Sequence, residues 1–119
     1  MNFTRIGAIS GALGVALGAF AAHVLRHNLA SDMMEVWDLG ARYQMIHAPA
    51  ILLVGLGAGA ARPRLQQAAG WLFTIGTVLF SGSLYTLALT GVDVWGAVTP
   101  LGGASFIAGW VVLAIAAAR

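Results

Sequence analysis

The sequence predicts an all-α integral membrane protein, a four-helix bundle with a short amphipathic extension before the second span. Three observations predict it. Apolar residues make up 60% of the 119 residues and charged residues only 8%, where a soluble domain carries about 25% charged residues. The apolar residues gather in four windows, each long enough for the roughly 20-residue helix that crosses a bilayer core. Unpaired backbone groups in lipid cost several kcal/mol each, which removes open strands from consideration. A single domain over 1–119 follows, with spans at about 5–25, 43–61, 67–90 and 98–118.

The first window, Ile6 to Leu25, holds no ionisable side chain except His23. Arg5 before it and Ala19, Ala21 and Ala22 near its end imitate a secretory signal and its cleavage site. Three further hydrophobic segments follow, so the segment is expected to be retained as a span. The stretch from Arg26 to Arg42 then holds five of the ten charged residues. Asp32 and Glu35 have the spacing of a capping box. Asp32, Glu35, Asp38 and Arg42 fall on one helical face, and Met33, Met34, Trp37 and Ala41 on the other. Residues 32–42 therefore read as an amphipathic surface helix running into the second span, or as an extension of that span beyond the membrane.

The second window, Tyr43 to Ala61, contains Pro49, which cannot donate to the Met45 carbonyl and whose ring crowds it. Arg62-Pro63-Arg64 forms a tight basic turn before the third window. That window carries no charge from Leu65 to Val92. In the fourth, Thr99-Pro100 has the form of an N-cap followed by proline at the first helical position. The fourth helix is thus expected to begin near Pro100, with Val94–Val98 interfacial and Trp95 at headgroup depth.

Small residues mark the faces that pack, because helices in lipid associate by close backbone approach. The first span offers Gly7, Gly11, Gly14, Gly18 and Ala22; the second, Gly55 and Gly59. The third offers Gly70, Thr74, Thr77, Ser81 and Tyr85; the fourth, Gly102, Ser105 and Gly109. An even number of spans puts both termini on one side with the 62–67 turn. That side holds Arg5, Arg62, Arg64 and Arg119 against Arg26 and Arg42 on the other, and the positive-inside rule then predicts cytoplasmic N- and C-termini in a bacterial inner membrane.

Chemistry-bearing residues are few. There are no cysteines, which excludes disulfide oxidation and thiolate metal sites. No carboxylate lies deep in a span, as proton-coupled small multidrug exporters require, and no Ser-His-Asp set is legible. Six arginines at loop and helix-end positions account for the net charge of +2 and give no reason to expect nucleic acid. His23 ends the first span and His47 lies about one turn inside the second, with Tyr43 and Gln44 one turn before it. At similar depth in a hairpin, two imidazoles can ligate haem, copper or zinc, or bond a quinone carbonyl. Equally, each can bond a carbonyl and lock the hairpin, and two ligands alone are a weak metal signature.

Several stretches resemble one family. Gly18-Ala19-Phe20-Ala21-Ala22-His23 resembles the GAFGAH motif of the domain-of-unknown-function 423 family, the YgdD/YwdK-like small inner-membrane proteins. Tyr43-Gln44-Met45-Ile46-His47-Ala48 resembles its YQxxHA segment, and Phe80-Ser81-Gly82-Ser83-Leu84-Tyr85 its FSGSLY stretch. Gly96 to Gly103, followed by Phe106-Ile107-Ala108-Gly109-Trp110, is similar to its GxxTPLGG…FxxGW pattern. Ala21 departs from the family's usual glycine, and Pro49 from a commoner aliphatic residue. The resemblance implies a four-span membrane protein and no particular activity.

It also directs attention to a candidate outer-half pocket of His23, Tyr43, Gln44, His47, Ser81, Ser83, Tyr85 and Thr99. The expected function is a non-enzymatic structural, accessory or small-ligand-binding component. The alternatives are haem, metal or quinone binding through His23 and His47, or transport of a small solute or lipid. The partners expected are membrane lipid and either further copies of the chain or a larger membrane complex.

Overall fold

The computed structural model describes residues 2–118. Four helices follow one another: α1 (Phe3–His23), α2 (Ser31–Gly55), α3 (Pro63–Thr90) and α4 (Val94–Ala117), with one 3-10 turn at Leu25–His27. Among the described residues there is no strand. The Asn2 side chain accepts the Arg5 amide at 3.0 Å and caps α1, using one of the donors that a helix start leaves free. α3 begins at Pro63, where the missing N–H interrupts no helical bond. It ends at Gly91, whose φ of +68° suits glycine and whose N–H donates to the Leu87 carbonyl at 2.8 Å.

The structure moves three expected boundaries. α2 is one unbroken helix, so the amphipathic stretch is the beginning of the second helix itself. Its faces are as expected: Asp32, Glu35, Asp38 and Arg42 are exposed and Trp37 and Ala41 buried. No Asp32–Glu35 capping box forms, because the helix opens at Ser31, with Ala30 and not Asp32 at the N-cap. Asp32 lies inside the first turn and accepts the Met33 amide at 3.0 Å, where its charge meets the positive helix end. α2 stops at Gly55, not near Ala61. Gly57 and Gly59, at φ +114° and +80°, turn the chain there, so Gly59 is no part of a helical packing face. α4 starts at Val94, and Pro100 lies within it. Thr99 is thus no N-cap; its hydroxyl donates back to the Trp95 carbonyl at 3.3 Å.

α1 packs on α2, α2 on α3 and α3 on α4. Glycine sets the closest approaches. A Cβ on Gly7 would lie 2.7 Å from the Leu52 amide nitrogen, and one on Gly14 2.5 Å from the Met45 sulfur. Between α3 and α4, the Phe106 ring seats on Gly76, Phe73 on Gly109, and Gly102 meets the Phe80 backbone. Ser105 adds a bond to the Leu72 carbonyl at 2.7 Å. The smooth face of α1 serves only as far as Gly14. A Cβ on Gly18 would meet no other helix within 4 Å, and Ala21 and Leu25 pack with Trp37 and Ala88 instead.

α1 with its following turn (Phe3–His27), α3 and α4 are long and apolar enough to cross a membrane. α2 falls short on composition because its first three turns carry charge and its middle carries Gln44 and His47. It is also the most enclosed helix, with Trp37, Gln44, His47, Ile51 and Val54 all buried. A helix that faces protein need not match lipid. The outer surface does match it: Val78, Leu101 and Ile107 are each more than 60% exposed. Arg5, Arg62 and Arg64 lie at one end of the bundle and the four acids at the other; Arg119 lies outside the described residues.

Candidate functional site

An amide in a bilayer interior must find partners within the protein. Gln44, buried midway along α2, finds them on two neighbours. Its Nε2 donates to the Ser10 carbonyl of α1 at 2.9 Å, and its Oε1 accepts the Tyr85 hydroxyl of α3 at 2.7 Å. One side chain thus ties three helices. Above it, Trp37 donates its indole hydrogen to the Leu17 carbonyl at 3.0 Å and packs against the Tyr85 ring at 4.6 Å. Ser81 donates to the Gly40 carbonyl at 2.7 Å. Gly40 permits this contact, since a Cβ there would already stand 3.1 Å from the Tyr85 ring.

His47 serves the opposite flank of α2. Its Nδ1 lies 2.7 Å from the Tyr43 carbonyl, and its Nε2 faces the Trp110 indole N–H at 3.0 Å. An indole can only donate, so Nε2 is the acceptor and Nδ1 carries the hydrogen. Phe106 stacks on the imidazole at 3.6 Å with an interplanar angle of 7°. Tyr43 packs on Phe80 at 4.6 Å. Ser83 and Thr99 pair their hydroxyls at 2.6 Å across α3 and α4.

The expected pocket is therefore divided. Gln44, Ser81 and Tyr85 share one side of α2; Tyr43 and His47 turn toward α4; Ser83 and Thr99 join α3 to α4. His23 is exposed at the end of α1. Gly11 meets Ala48, next to His47, so along α1 the two histidines stand about 12 residues apart, or roughly 18 Å at 1.5 Å per residue. They form no common site, because α2 already runs beside α1 from Ser31 onward and carries His47 to mid-depth. Among the described residues no three His, Cys, Asp or Glu side chains gather as metal ligands.

A groove of about 470 Å³ lies between α1 and α3, with Gln44 and Ile51 of α2 as its floor. Its walls run from Ile6 to Leu17 on α1 and from Thr74 to Tyr85 on α3, about 16 Å on each. Aromatic layers bound both ends. At one, buried Phe3 fills the space over Gly70 and meets Trp71 edge-on at 5.8 Å. At the other stand Trp37 and Tyr85. The open side faces outward between Ile9 and Val78, which are 51% and 66% exposed.

The sequence pattern described as "Protein of unknown function (DUF423)" matches residues 17–103. This chain belongs to the DUF423 family. A UPF0382 membrane protein of Staphylococcus epidermidis is 46% identical over 114 residues, covering 96% of this chain and 93% of that protein. The UPF0382 membrane protein YwdK of Bacillus subtilis is 41% identical over 123 residues, with 98% and 96% covered. The UPF0382 inner membrane protein YgdD of Escherichia coli K12 is 46% identical over 115 residues, with 94% and 86% covered. No solved structure matches the chain. The family assignment, the relatives and the three long apolar helices agree that this is a membrane protein.

The segment matched to DUF423 contains Trp37, Gln44, His47 and Tyr85 but not Ser10 or Trp110. Both of these escaped the sequence reading as partners. Trp110 left a signal: an indole N–H within a span needs an acceptor, and His47 is one. Ser10 left none, since its backbone carbonyl is what receives Gln44.

Proposed function

We propose that this DUF423 chain is a four-span inner-membrane protein with both termini in the cytosol. It acts as a non-enzymatic small-ligand-binding component that holds a slender apolar molecule of the bilayer between α1 and α3. The observation that carries this reading is an open, apolar groove between two helices apolar enough to cross a membrane, with exposed Ile9 and Val78 on its walls and aromatic side chains packed near both ends. A molecule reaches such a groove from the lipid. Four spans are supported by α2 lying along the length of α1 and rising about 37 Å. Arg5, Arg62 and Arg64 at one bundle end, against Arg26 and Arg42 at the other, favour the stated orientation.

Gly82 lines the groove, and a Cβ there would meet nothing within 4 Å. Gly82→Leu therefore fills the groove without disturbing the helices. A photoreactive long-chain lipid probe is expected to label α1 and α3 in the wild-type protein in nanodiscs, and Gly82→Leu to remove most of that labelling. Labelling unchanged by the substitution overturns the proposal.

A further inference from the structure

Polarity changes along the groove in one direction. On α1, Arg5, Ile9, Leu13 and Phe20 are all exposed and fall within about 80° of one another around the helix axis. On α3, Gln67, Trp71, Val78 and Leu89 are exposed and fall within about 40°. Ile9, Leu13 and Val78 line the groove itself. Arg5, Trp71 and Gln67 continue the two stripes past its Phe3 end, and Phe20 and Leu89 past its Trp37 end. Buried Phe3 sets the helices in register: its ring lies over Gly70 and meets Trp71, which brings Arg5 and Trp71 to about the same height.

One mouth of the groove thus gathers a guanidinium, an amide and an indole N–H, all able to donate, and the other mouth is hydrocarbon. The four acids, Asp32, Glu35, Asp38 and Asp93, lie at the opposite end of the bundle. Among the described residues no carboxylate therefore stands near Arg5, while Arg62 and Arg64 add positive charge on the same side. The groove walls run for about 16 Å, close to half of the roughly 30 Å hydrocarbon core. That is the depth an acyl chain occupies in its own leaflet.

We propose that the groove takes an acyl chain of an anionic lipid from the leaflet on the arginine side, with the headgroup held by Arg5, Gln67 and Trp71. A zwitterionic headgroup brings its own cation to a place where three arginines repel it. A span of a second copy, inserted in the same orientation, carries its acids at the far end and leaves these donors without an anion. This inference rests on the groove being a binding site, as proposed above, and adds which lipid enters and which way it lies.

The test compares two lipids with the same diazirine-bearing acyl chain, a phosphatidylglycerol and a phosphatidylcholine, on the full chain in otherwise zwitterionic nanodiscs. The anionic probe is expected to label the groove walls of α1 and α3 about fivefold more, the preference that one arginine near a membrane surface supplies. Arg5→Gln is expected to bring the two probes near parity without removing labelling, and Arg5→Lys to keep the preference. Arg62→Gln should keep it too, since Arg62 lies nine residues before Trp71, roughly 13 Å along the α3 axis. Parity in the wild-type protein overturns the headgroup assignment and leaves the groove as a site, provided Gly82→Leu blocks both probes. Equal loss of preference in Arg5→Gln and Arg62→Gln shows diffuse attraction only and overturns the assignment to Arg5. Absence of groove labelling by either probe overturns the site together with its selectivity. The chain has no cysteine, so Leu13→Cys reports a second copy directly. Disulfide-linked dimers of that variant in native membranes would name the second copy as occupant and overturn the lipid assignment. The wild-type comparison stands even if Arg5→Gln fails to insert.

Discussion

Trp110 of α4 donates its indole hydrogen to Nε2 of His47 on α2, at 3.0 Å, across a bundle in which those helices meet through side chains. Trp110→Phe keeps the ring beside Phe73, 4.8 Å away, and deletes the donor. A loss of about 1 kcal/mol is expected, within the range of side-chain hydrogen bonds between membrane helices. Reversible unfolding in mixed micelles measures it. A double-mutant cycle with His47→Ala should give a coupling of roughly 0.6–1.7 kcal/mol; zero coupling would show that the bond contributes nothing.

Gln44 holds Ser10 and Tyr85 at once, so its removal should exceed the loss of either bond. Gln44→Leu is expected to cost about 1–3 kcal/mol by leaving the Tyr85 hydroxyl without its acceptor. Tyr85→Phe should cost less, and the two changes together less than their sum. The same unfolding assay decides this, and strict additivity would contradict the linked network.

Two glycines of α1 separate packing from propensity. Gly7→Ala pushes a methyl group against the Leu52 and Ala48 backbone, 2.7 and 2.8 Å away, which cannot yield as a side-chain tip can. A cost of about 1–3 kcal/mol is expected. Gly18→Ala meets nothing within 4 Å and should be neutral or stabilise by up to about 1 kcal/mol. Equal effects at the two positions would refute the α1–α2 register.

Orientation has its own test. A reporter enzyme active only in the periplasm should be silent when fused at the C-terminus or in the 57–60 turn, and active when placed at 28–30. Activity at the C-terminus reverses the assignment of the two ends.

Much of the fold was legible in the sequence because lipid imposes a composition. The apolar windows became α1, α3 and α4, and Gly7, Gly14, Gly102 and Gly109 became contacts. Boundaries were less so. Gly57 and Gly59 continue an apolar run, and nothing in their identity says that they leave the helix. Thr99-Pro100 has the form of a helix start, yet α4 begins at Val94, just after the Gly91 turn that ends α3. The site was legible by residue type and not by direction. Tyr43 and His47 are four apart and share a face, while Gln44 is turned from Tyr43 by about 100° and meets α1 and α3. Which neighbour receives which side chain depends on the order of helices around α2, and no local pattern encodes that.

The polarity of α2 bears on how the chain reaches its place during synthesis. Charges, an amide and an imidazole make this segment a poor candidate to leave an insertion channel for lipid alone. α1 emerges first and is strongly hydrophobic, and its glycine face fits α2 closely. On a four-span arrangement the two would enter as a paired hairpin, with the first helix escorting the second. Damage at Gly7 would then lower the yield of inserted protein before it lowered the stability of any that arrived.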